Sequence, residues 1–289
     1  MRGITLIKFS EPERLMVLDM FKHNKINNIE FLTITEFDKS GLVRHGFSTR
    51  KGGVSLGEAG TMNFGFNRKD TRENIVKNFE LFCTVLGVDY KKIVFTNQTH
   101  EDVVYAVTKK DIGKGLMTIS DIKGVDALVT NIPNIPLCTF HADCMPLFFL
   151  DTNKKAIGLT HSGWKSTLLN IAQKTVQKMQ SEYGCNPADI IVAIGPSIGV
   201  CHFEVGQGVA DKFKEKFGDE YIINGETPHI DLWQLCKSQL INAGILSHNI
   251  TITDICTFCN NDLFYSYRGD NHKTGSMVSI MELRGEDDE

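Results

Sequence analysis

The sequence lacks the features that would place the protein in a membrane or on nucleic acid. No stretch reaches the roughly 18 consecutive apolar residues that a membrane-spanning helix requires, so no membrane partner is expected. There is no long basic block and the formal net charge is −4, which argues against a nucleic-acid partner. The N-terminus, MRGITLIKFSEPERLMVLDM, has no uninterrupted apolar segment of the kind found in signal peptides. We therefore expect a cytoplasmic protein.

Several signatures of known metal enzymes are missing as well. None of the nine histidines forms an H-x-H pair, the motif with which multicopper oxidases build their copper cluster. The chain has no H-x-E…P-C-x-x-C pattern and no H-E-x-x-H pattern. An ordinary cytidine-type zinc deaminase and a zincin protease are therefore not expected.

The cysteines do not form a disulfide framework. Eight are scattered along 289 residues without a regular spacing, so reduced thiols are expected in a chain of this length. The sequence also has no internal repeat and no linker rich in Pro, Gly or Ser. We therefore expect residues 1–289 to form one domain with a sizeable core, in which residues 284–289 are a disordered acidic tail.

The secondary-structure signals are unevenly distributed. Residues 41–70 are rich in glycine and polar side chains and predict a long loop region. Helices are predicted from Thr71 to about Leu86, from Ser166 or Thr167 to Gly184, near 206–217, and near 231–243 with Asp231 as its cap. Short runs rich in Val, Ile, Leu and Phe predict strands near 93–97, 102–107, 125–130, 136–140, 145–150, 155–160, 189–196, 249–255 and 276–283. Clustered strands with helices interspersed favour an α+β fold with layered sheets and helices outside.

Three polar side chains share one setting at the ends of predicted strands. His100 follows a strand, Cys144 lies between two strands, and His161 ends a strand before a long helix. Two imidazoles and one thiolate suit Zn²⁺, and three protein ligands leave a fourth position open, as catalytic zinc sites require. The sequence alone does not establish that these three side chains converge.

Other interpretations of the same residues stay open. Cys144 could be the nucleophile of a thiol hydrolase with His100 or His161 as its base, or the chain could be a metal-dependent binding module without turnover. His141 could be an alternative ligand if a turn brings it to Cys144. The C-x-x-C pair at 256–259 has the spacing of a metal pair, but no second C-x-x-C exists, so a zinc ribbon is not expected.

Several ordered motifs resemble one known family. They are RHGFSTRKGGVS, NQTH, HADCMPLFFLD, GLTHSGWKST, AIGPSIGVCHFEVG and LFYSYRGDNHKTG. These look like the signatures of the laccase-domain family of purine nucleoside phosphorylases, whose members were once known as polyphenol oxidases. The likeness covers about residues 41–283, and residues 1–40 lie outside it. One departure is HSGWKST, where many members read H-A-G-W-R-G, so that Lys165 replaces an arginine and keeps its charge without its bidentate geometry.

The resemblance implies a fold, a metal and an activity. The fold would be a single domain with two mixed β-sheets between helical layers, an α/β/β/α sandwich. Zinc would be held by His100, Cys144 and His161, which would also be the catalytic residues. The implied activity is phosphorolysis of adenosine, inosine and S-methyl-5′-thioadenosine, with adenosine deamination as a second activity. Copper as the metal of a polyphenol oxidase is the alternative, and the partners would be purine nucleosides and phosphate, bound by a monomer or homodimer.

Phosphate needs cationic or amide donors, which makes the basic residues near the motifs candidates for binding it. Arg50 and Lys51 beside two glycines are the first candidates for substrate binding. Arg68, Lys165 and Arg268 follow. Asp143 is a further candidate for substrate binding, and it is alternatively expected to orient His100 or His161 as a hydrogen-bond acceptor, or to bond a turn. Trp164 and Phe140 could stack on a purine, although core packing is the expected role.

Overall fold

The computed structural model describes residues 20–286 of the chain. The strands are β1 (Phe21–Ile26), β2 (Ile29–Ile34), β3 (Val43–Ser48), β4 (Val104–Ala106), β5 (Ala127–Thr130), β6 (Leu137–His141), β7 (Met145–Asp151), β8 (Ala156–Ser162), β9 (Ile190–Ile194), β10 (Ile222–Ile223), β11 (His229–Ile230), β12 (Ile250–Ile252) and β13 (Met277–Leu283). The helices are α1 (Thr35–Ser40), α2 (Arg72–Leu86), α3 (Trp164–Leu168), α4 (Ile171–Tyr183), α5 (Gln207–Phe217) and α6 (Leu232–Asn242). Among residues 20–286, no helix is long and apolar enough to cross a bilayer.

The strands form two large sheets and one small hairpin. The first sheet has the order β1-β2-β3-β13-β6 and every neighbouring pair in it is antiparallel. The second has the order β12-β9-β7-β8-β5-β4, in which the two edge pairs are parallel and the inner pairs antiparallel. Only the second sheet is therefore mixed, whereas both were expected to be, and β10 and β11 pair separately.

The two sheets pack face to face, with helices on the outer faces. In β7, Phe148 points into the core between the sheets, whereas Leu147 and Phe149 belong to the cluster beneath α4 and α6. This alternation follows from the two-residue period of a strand that is buried on both sides. On the other outer face, α2 packs Phe79 and Phe82 against the first sheet. The expected α/β/β/α layering is thus confirmed.

Helix α2 begins and ends where its sequence predicts. The side chain of Thr71 accepts a hydrogen bond from the Asn74 backbone amide, which caps the N-terminus. Gly87 adopts a left-handed conformation with φ 70° and ends the helix. Helix α6 likewise has the predicted cap, since the Asp231 carboxylate accepts from the Gln234 amide.

The predicted helix at Ser166 or Thr167 is wrong in its start and its continuity. Helix α3 begins at Trp164, because Gly163 caps it and its amide bonds to the Ser166 hydroxyl. Asn170 then adopts φ 64° and separates α3 from α4. The chain thus turns into a helix directly after β8, which holds the end of that strand close to the helix N-terminus.

Several strand predictions also need correction. The expected loop over 41–70 contains β3, which is held by pairing with β13 and whose Gly46 lets Leu86 of α2 approach closely. The predicted strand 93–97 forms only isolated bridges at Val94 and Asn97. The disordered tail was expected to begin at residue 284, but this residue is held in place because its backbone amide bonds to the Leu42 carbonyl. Residues 287–289 of that tail, and the N-terminal segment before residue 20, lie outside the described residues.

Candidate metal centre

Strand pairing brings two of the three predicted ligands together. Cys144 directly precedes β7, and in the antiparallel β7–β8 pair Pro146 lies opposite His161. His100 lies in the loop before β4 and adopts a left-handed conformation with φ 62°. The ligand atoms of His100, Cys144 and His161 all lie within 4.8 Å of one another, and we call these residues the two-histidine cluster.

The spacing of these atoms suits a single divalent ion. The Sγ atom of Cys144 lies 3.9 Å from Nε2 of His100, and the rings of His100 and His161 meet edge to face with centroids 4.8 Å apart. Zn–S bonds of about 2.3 Å and Zn–N bonds of about 2.0–2.1 Å place tetrahedral sulfur and nitrogen ligands about 3.6 Å apart. The donors therefore need only a small shift to close around zinc.

Asp126, which the sequence analysis did not single out, orients this cluster. Its Oδ1 lies 2.8 Å from Nδ1 of His161, and its carboxylate also accepts backbone amides of residues 99–101. Burial raises the pKa of Asp126, but the His161 hydrogen bond and the amide donors outweigh it and leave the pKa below its ordinary value. The ionised carboxylate holds a proton on Nδ1 of His161, so Nε2 is the ring nitrogen that would bind a metal.

The electrostatics favour an ionised sulfur in the cluster. Burial raises the pKa of the Cys144 thiol, but the charge of His161 and hydrogen bonds from His100 and His161 lower it to about 6. Burial lowers the pKa of His161, but the Cys144 thiolate and Asp126 raise it to about 9. The thiolate is the form of cysteine that binds metal, and an ion bound at Nε2 of His161 would displace the proton that this nitrogen shares with the sulfur.

Gly163 leaves the space in which the cluster sits. A Cβ atom at this position would lie 2.8 Å from Cδ2 of His100 and 3.1 Å from Sγ of Cys144. Both contacts are closer than van der Waals packing allows. The glycine of the H-x-G-W motif thus leaves room for the side chains of His100 and Cys144 to lie next to each other.

His141 does not join the cluster as an alternative ligand. It is 2% exposed, its Nε2 lies 2.8 Å from the Thr139 hydroxyl, and its Nδ1 lies 3.1 Å from the Cys144 carbonyl oxygen. Burial, followed by the charge of His161, holds its pKa well below the usual range. His141 is therefore a neutral residue that supports the turn carrying Cys144.

Asp143 does not orient either imidazole. Its Oδ1 accepts from the Thr257 hydroxyl at 2.6 Å and its Oδ2 from the Arg268 amide at 2.8 Å. The expected orienting role belongs to Asp126 instead. Asp143 has φ 84°, so it forms the tight turn before Cys144 and anchors that turn to the chain segments that carry Thr257 and Arg268.

The first two candidates for phosphate binding differ in their surroundings. Arg50 directs Nη1 to the carbonyl and side-chain oxygens of Asn261, pairs with Asp270 at 3.4 Å, and lies over the Tyr265 ring. These contacts make Arg50 part of the scaffold. Lys51 is exposed at the edge of the glycine-rich loop, where its amide bonds to the Thr49 hydroxyl.

The remaining basic candidates lie in two places. Lys165 is exposed on α3, with Nζ 5.7 Å from the Trp164 ring centroid. Arg268 directs its guanidinium to the backbone carbonyls of His202 and Glu204. Arg68 bonds through Nε to the Ser276 hydroxyl, and within residues 20–286 its Nη atoms have no hydrogen-bond partner. Arg68 is therefore the arginine of this group with uncommitted donors.

The aromatic candidates have packing roles. Phe140 packs edge to face against Phe95 with ring centroids 4.9 Å apart and joins the core under α2. Trp164 packs on the cluster beneath the outer helices of the second sheet. A cavity of about 300 Å³ lies between α4, the end of α5 and α6, and one of about 530 Å³ lies between α6 and the loop after α5; neither is lined by a residue of the two-histidine cluster. Donor chemistry, not cavity volume, identifies the site.

The family comparison matches most of the chain. The family described as "Multi-copper polyphenol oxidoreductase laccase" matches residues 44–284. Purine nucleoside phosphorylase YlmD of Bacillus subtilis (strain 168) is 33% identical over 278 residues, which cover 94% of this chain and 95% of that protein. Purine nucleoside phosphorylase LACC1 of Mus musculus is 32% identical over 248 residues, which cover 83% of this chain and 55% of that protein.

Solved structures share the fold over nearly the whole chain. The crystal structure of YlmD from Geobacillus stearothermophilus superposes with a TM-score of 0.86 at 29% identity, covering 92% of this chain and 99% of that chain. The Bacillus licheniformis hypothetical protein YfiH superposes with a TM-score of 0.84 at 32% identity, covering 91% and 99% of the two chains. The two-sheet architecture is therefore shared with these proteins.

Proposed function

Because the chain belongs to the family described as multi-copper polyphenol oxidoreductase laccase, and relatives within it are named purine nucleoside phosphorylases, we propose that it is a zinc-dependent purine nucleoside phosphorylase. The proposed substrates are adenosine, inosine and S-methyl-5′-thioadenosine, with adenosine deamination as a second activity. The observation that carries the proposal is the two-histidine cluster, with one imidazole oriented by Asp126.

The two-histidine cluster would hold one zinc ion through Nε2 of His161, Sγ of Cys144 and a nitrogen of His100. Such an ion supplies a Lewis acid with one open coordination position. Asp126 keeps the His161 proton on Nδ1, and Gly163 keeps the space around Cys144 and His100 free. The chain's own contribution is thus a set of ligands fixed before the substrate arrives.

Phosphorolysis breaks the glycosidic bond and joins the ribose to phosphate, giving a free base and ribose 1-phosphate. Positive charge develops on the ribose and negative charge on the departing purine. We propose Arg68 as a phosphate contact, since its Nη donors are uncommitted and it lies 5.6 Å from the Tyr267 ring centroid. Tyr267 is followed by Arg268, whose amide is bonded to Asp143, the residue before Cys144. These contacts connect Arg68, through Tyr267 and Arg268, to the turn that carries Cys144, which is why we rank Arg68 first for this role.

The remaining basic candidates rank lower for this role. Lys51 and Lys165 are exposed and could contact an anion, whereas the guanidinium groups of Arg50 and Arg268 are bonded to backbone carbonyls. Replacing Arg68 by Gln is expected to raise the KM for phosphate at least tenfold. Arg72→Gln is the matched control, because that arginine also lies over an aromatic ring, Phe66. Equal KM values for the two variants would remove Arg68 from the proposal.

Metal analysis combined with turnover tests the function itself. The purified protein should contain zinc and should release adenine or hypoxanthine from a nucleoside only when phosphate is present. Cys144→Ala should lose both the zinc of this cluster and the turnover, whereas Cys185→Ala, a buried cysteine outside the cluster, should keep both. Turnover by metal-free protein would overturn the proposal.

A thiol hydrolase is the second candidate, because Cys144 lies within 3.9 Å of the His100 imidazole. Such an enzyme would survive chelators and lose activity on alkylation of Cys144. Copper is the other alternative, since two histidines and one cysteine also form copper sites. Bound copper detected by electron paramagnetic resonance, together with oxidation of phenols, would favour an oxidase over a phosphorylase.

A further inference from the structure

A second group of side chains of the types that bind metal ions lies outside the two-histidine cluster. It joins the C-x-x-C pair at 256–259 to a Cys-His pair far away in sequence. Its members, called here the three-cysteine cluster, are Cys201, His202, Cys256 and Cys259. Their ligand atoms all lie within 4.8 Å of one another, the same upper limit that holds for the first cluster.

The fold brings these two segments together by extending a pair of parallel strands. Beyond the paired strands β9 and β12, Ser197 forms a further parallel bridge with Cys256. The Ser197 amide bonds to the Ile255 carbonyl, and the Thr257 amide bonds to the Ser197 carbonyl at 3.0 Å. The two loops therefore leave the sheet side by side, and each carries two of the donors.

The donor distances match a tetrahedral site. Sγ of Cys201 lies 3.7 Å from Sγ of Cys259, close to the separation of about 3.8 Å that Zn–S bonds of about 2.3 Å produce. Nδ1 of His202 lies 3.2 Å from the first of these sulfurs and 3.3 Å from the second. It lies 4.0 Å from Sγ of Cys256. All three sulfurs thus lie 3.2–4.0 Å from the same ring nitrogen, which is the range expected for ligands of one ion.

The surroundings support the same arrangement. The Gly199 amide points at Sγ of Cys256 at 3.3 Å, a hydrogen bond that stabilises a thiolate. The His202 ring stacks on Phe258, with centroids 3.9 Å apart, which holds Nδ1 toward the sulfurs. Cys201 and Cys259 are exposed whereas Cys256 is buried, so an ion could enter from solvent.

We propose that the three-cysteine cluster binds a second divalent metal ion, with zinc as the expected ion, at a structural site with four protein ligands. Three thiolates and one imidazole are a donor set of closed, structural zinc sites, in which no position is left for substrate. The C-x-x-C pair, for which the sequence shows no second pair, finds its partners in Cys201 and His202. None of its four ligands belongs to the two-histidine cluster, so its occupancy can be tested separately from the reaction proposed there.

Metal stoichiometry distinguishes the two sites. The protein, purified with reductant, should bind two equivalents of zinc, and Cys144→Ala should retain one. A double variant, Cys201→Ser with Cys259→Ser, should also retain one, whereas Cys185→Ser should keep both. A single equivalent in the wild-type protein and none in Cys144→Ala would overturn the proposal while leaving the proposed function intact.

Cobalt spectroscopy keeps the test valid if the double variant does not fold. Cobalt-loaded Cys144→Ala has an intact three-cysteine cluster and should show the intense thiolate-to-cobalt charge-transfer bands and strong visible absorption of a tetrahedral three-thiolate site. Absence of these bands would contradict the proposal. Mass spectrometry of the protein purified with reductant provides the last check. A disulfide between Cys201 and Cys259 that persists in the presence of reductant would also overturn the proposal.

Discussion

Gly163→Ala should displace two of the proposed metal ligands without destabilising the fold. Gly163 has φ −83° and ψ 176°, which any residue adopts, so alanine introduces no backbone strain here. The new Cβ would nevertheless lie 2.8 Å from Cδ2 of His100 and 3.1 Å from Sγ of Cys144. The substitution therefore acts on the two ligands and on little else.

The size of the effect follows from these distances. Non-bonded carbon atoms pack at about 3.5–4.0 Å, so the His100 ring must move by about 0.7 Å or more. Metal–ligand distances tolerate deviations of only about 0.2 Å. We expect zinc affinity to fall by about 10–100-fold, the loss typical when the support of a metal ligand is removed. That change equals about 1.4–2.8 kcal/mol of binding free energy.

Competition with a chromogenic chelator measures this affinity, and nucleoside turnover at saturating zinc measures its consequence. The comparison of Gly163 with Gly163→Ala should be made in a protein that also carries Cys201→Ser and Cys259→Ser. The three-cysteine cluster then does not contribute to the measured zinc affinity. Gly206→Ala is the matched control: Gly206 also caps a helix, has φ −68°, and has no atom within 4 Å of the position that a Cβ would take. Wild-type zinc affinity in Gly163→Ala would refute the proposal that His100 and Cys144 bind the same ion.

Three further predictions concern other parts of the molecule. Asp126→Asn should lower zinc affinity by about 10–100-fold, because His161 loses its charged acceptor, and unchanged affinity in chelator competition would contradict this role. Burial raises the pKa of Asp70, but four hydrogen bonds outweigh it and leave the pKa below its ordinary value. Its contribution to stability is therefore present above about pH 4 and is lost as the pH falls further, so urea unfolding should show a steeper acid loss for wild type than for Asp70→Asn. Phe79→Ala should cost about 3–5 kcal/mol in urea unfolding because the ring is fully buried, whereas Leu56→Ala, 79% exposed, should change stability by less than about 0.5 kcal/mol.

Local sequence signals were sufficient for elements whose ends are set by their own residues. Helix α2 carries its capping threonine and its terminal glycine within the segment, so its bounds could be predicted. Strand β7 is apolar from Met145 to Leu150 because both of its faces are buried, and it was predicted for that reason. In contrast, β3 lies in a glycine-rich segment, and it is a strand because β13 pairs with it from the other end of the chain.

The same distinction applies to the candidate site. His100, Cys144 and His161 were recognisable because each lies in a motif at the end of a predicted strand. Asp126 carries no such motif, and its role depends on tertiary structure: the β5–β8 pairing brings its backbone carbonyl to the His161 amide at 2.7 Å. An aspartate directly before a buried strand was the available signal, but sequence alone does not show which imidazole it would reach.

Asp143 connects the turn that carries Cys144 to the loops of the three-cysteine cluster. Its backbone carbonyl accepts from the Ile198 amide at 2.8 Å, and its carboxylate accepts from the Thr257 hydroxyl and the Arg268 amide. Burial raises the pKa of this carboxyl group, and the two donors oppose that effect. Thr257 lies within the C-x-x-C pair, so the turn that presents Cys144 is tied to the loops of the three-cysteine cluster. An ion that fixed those loops would therefore also restrain the position of the Cys144 sulfur, without contacting any group of the first cluster.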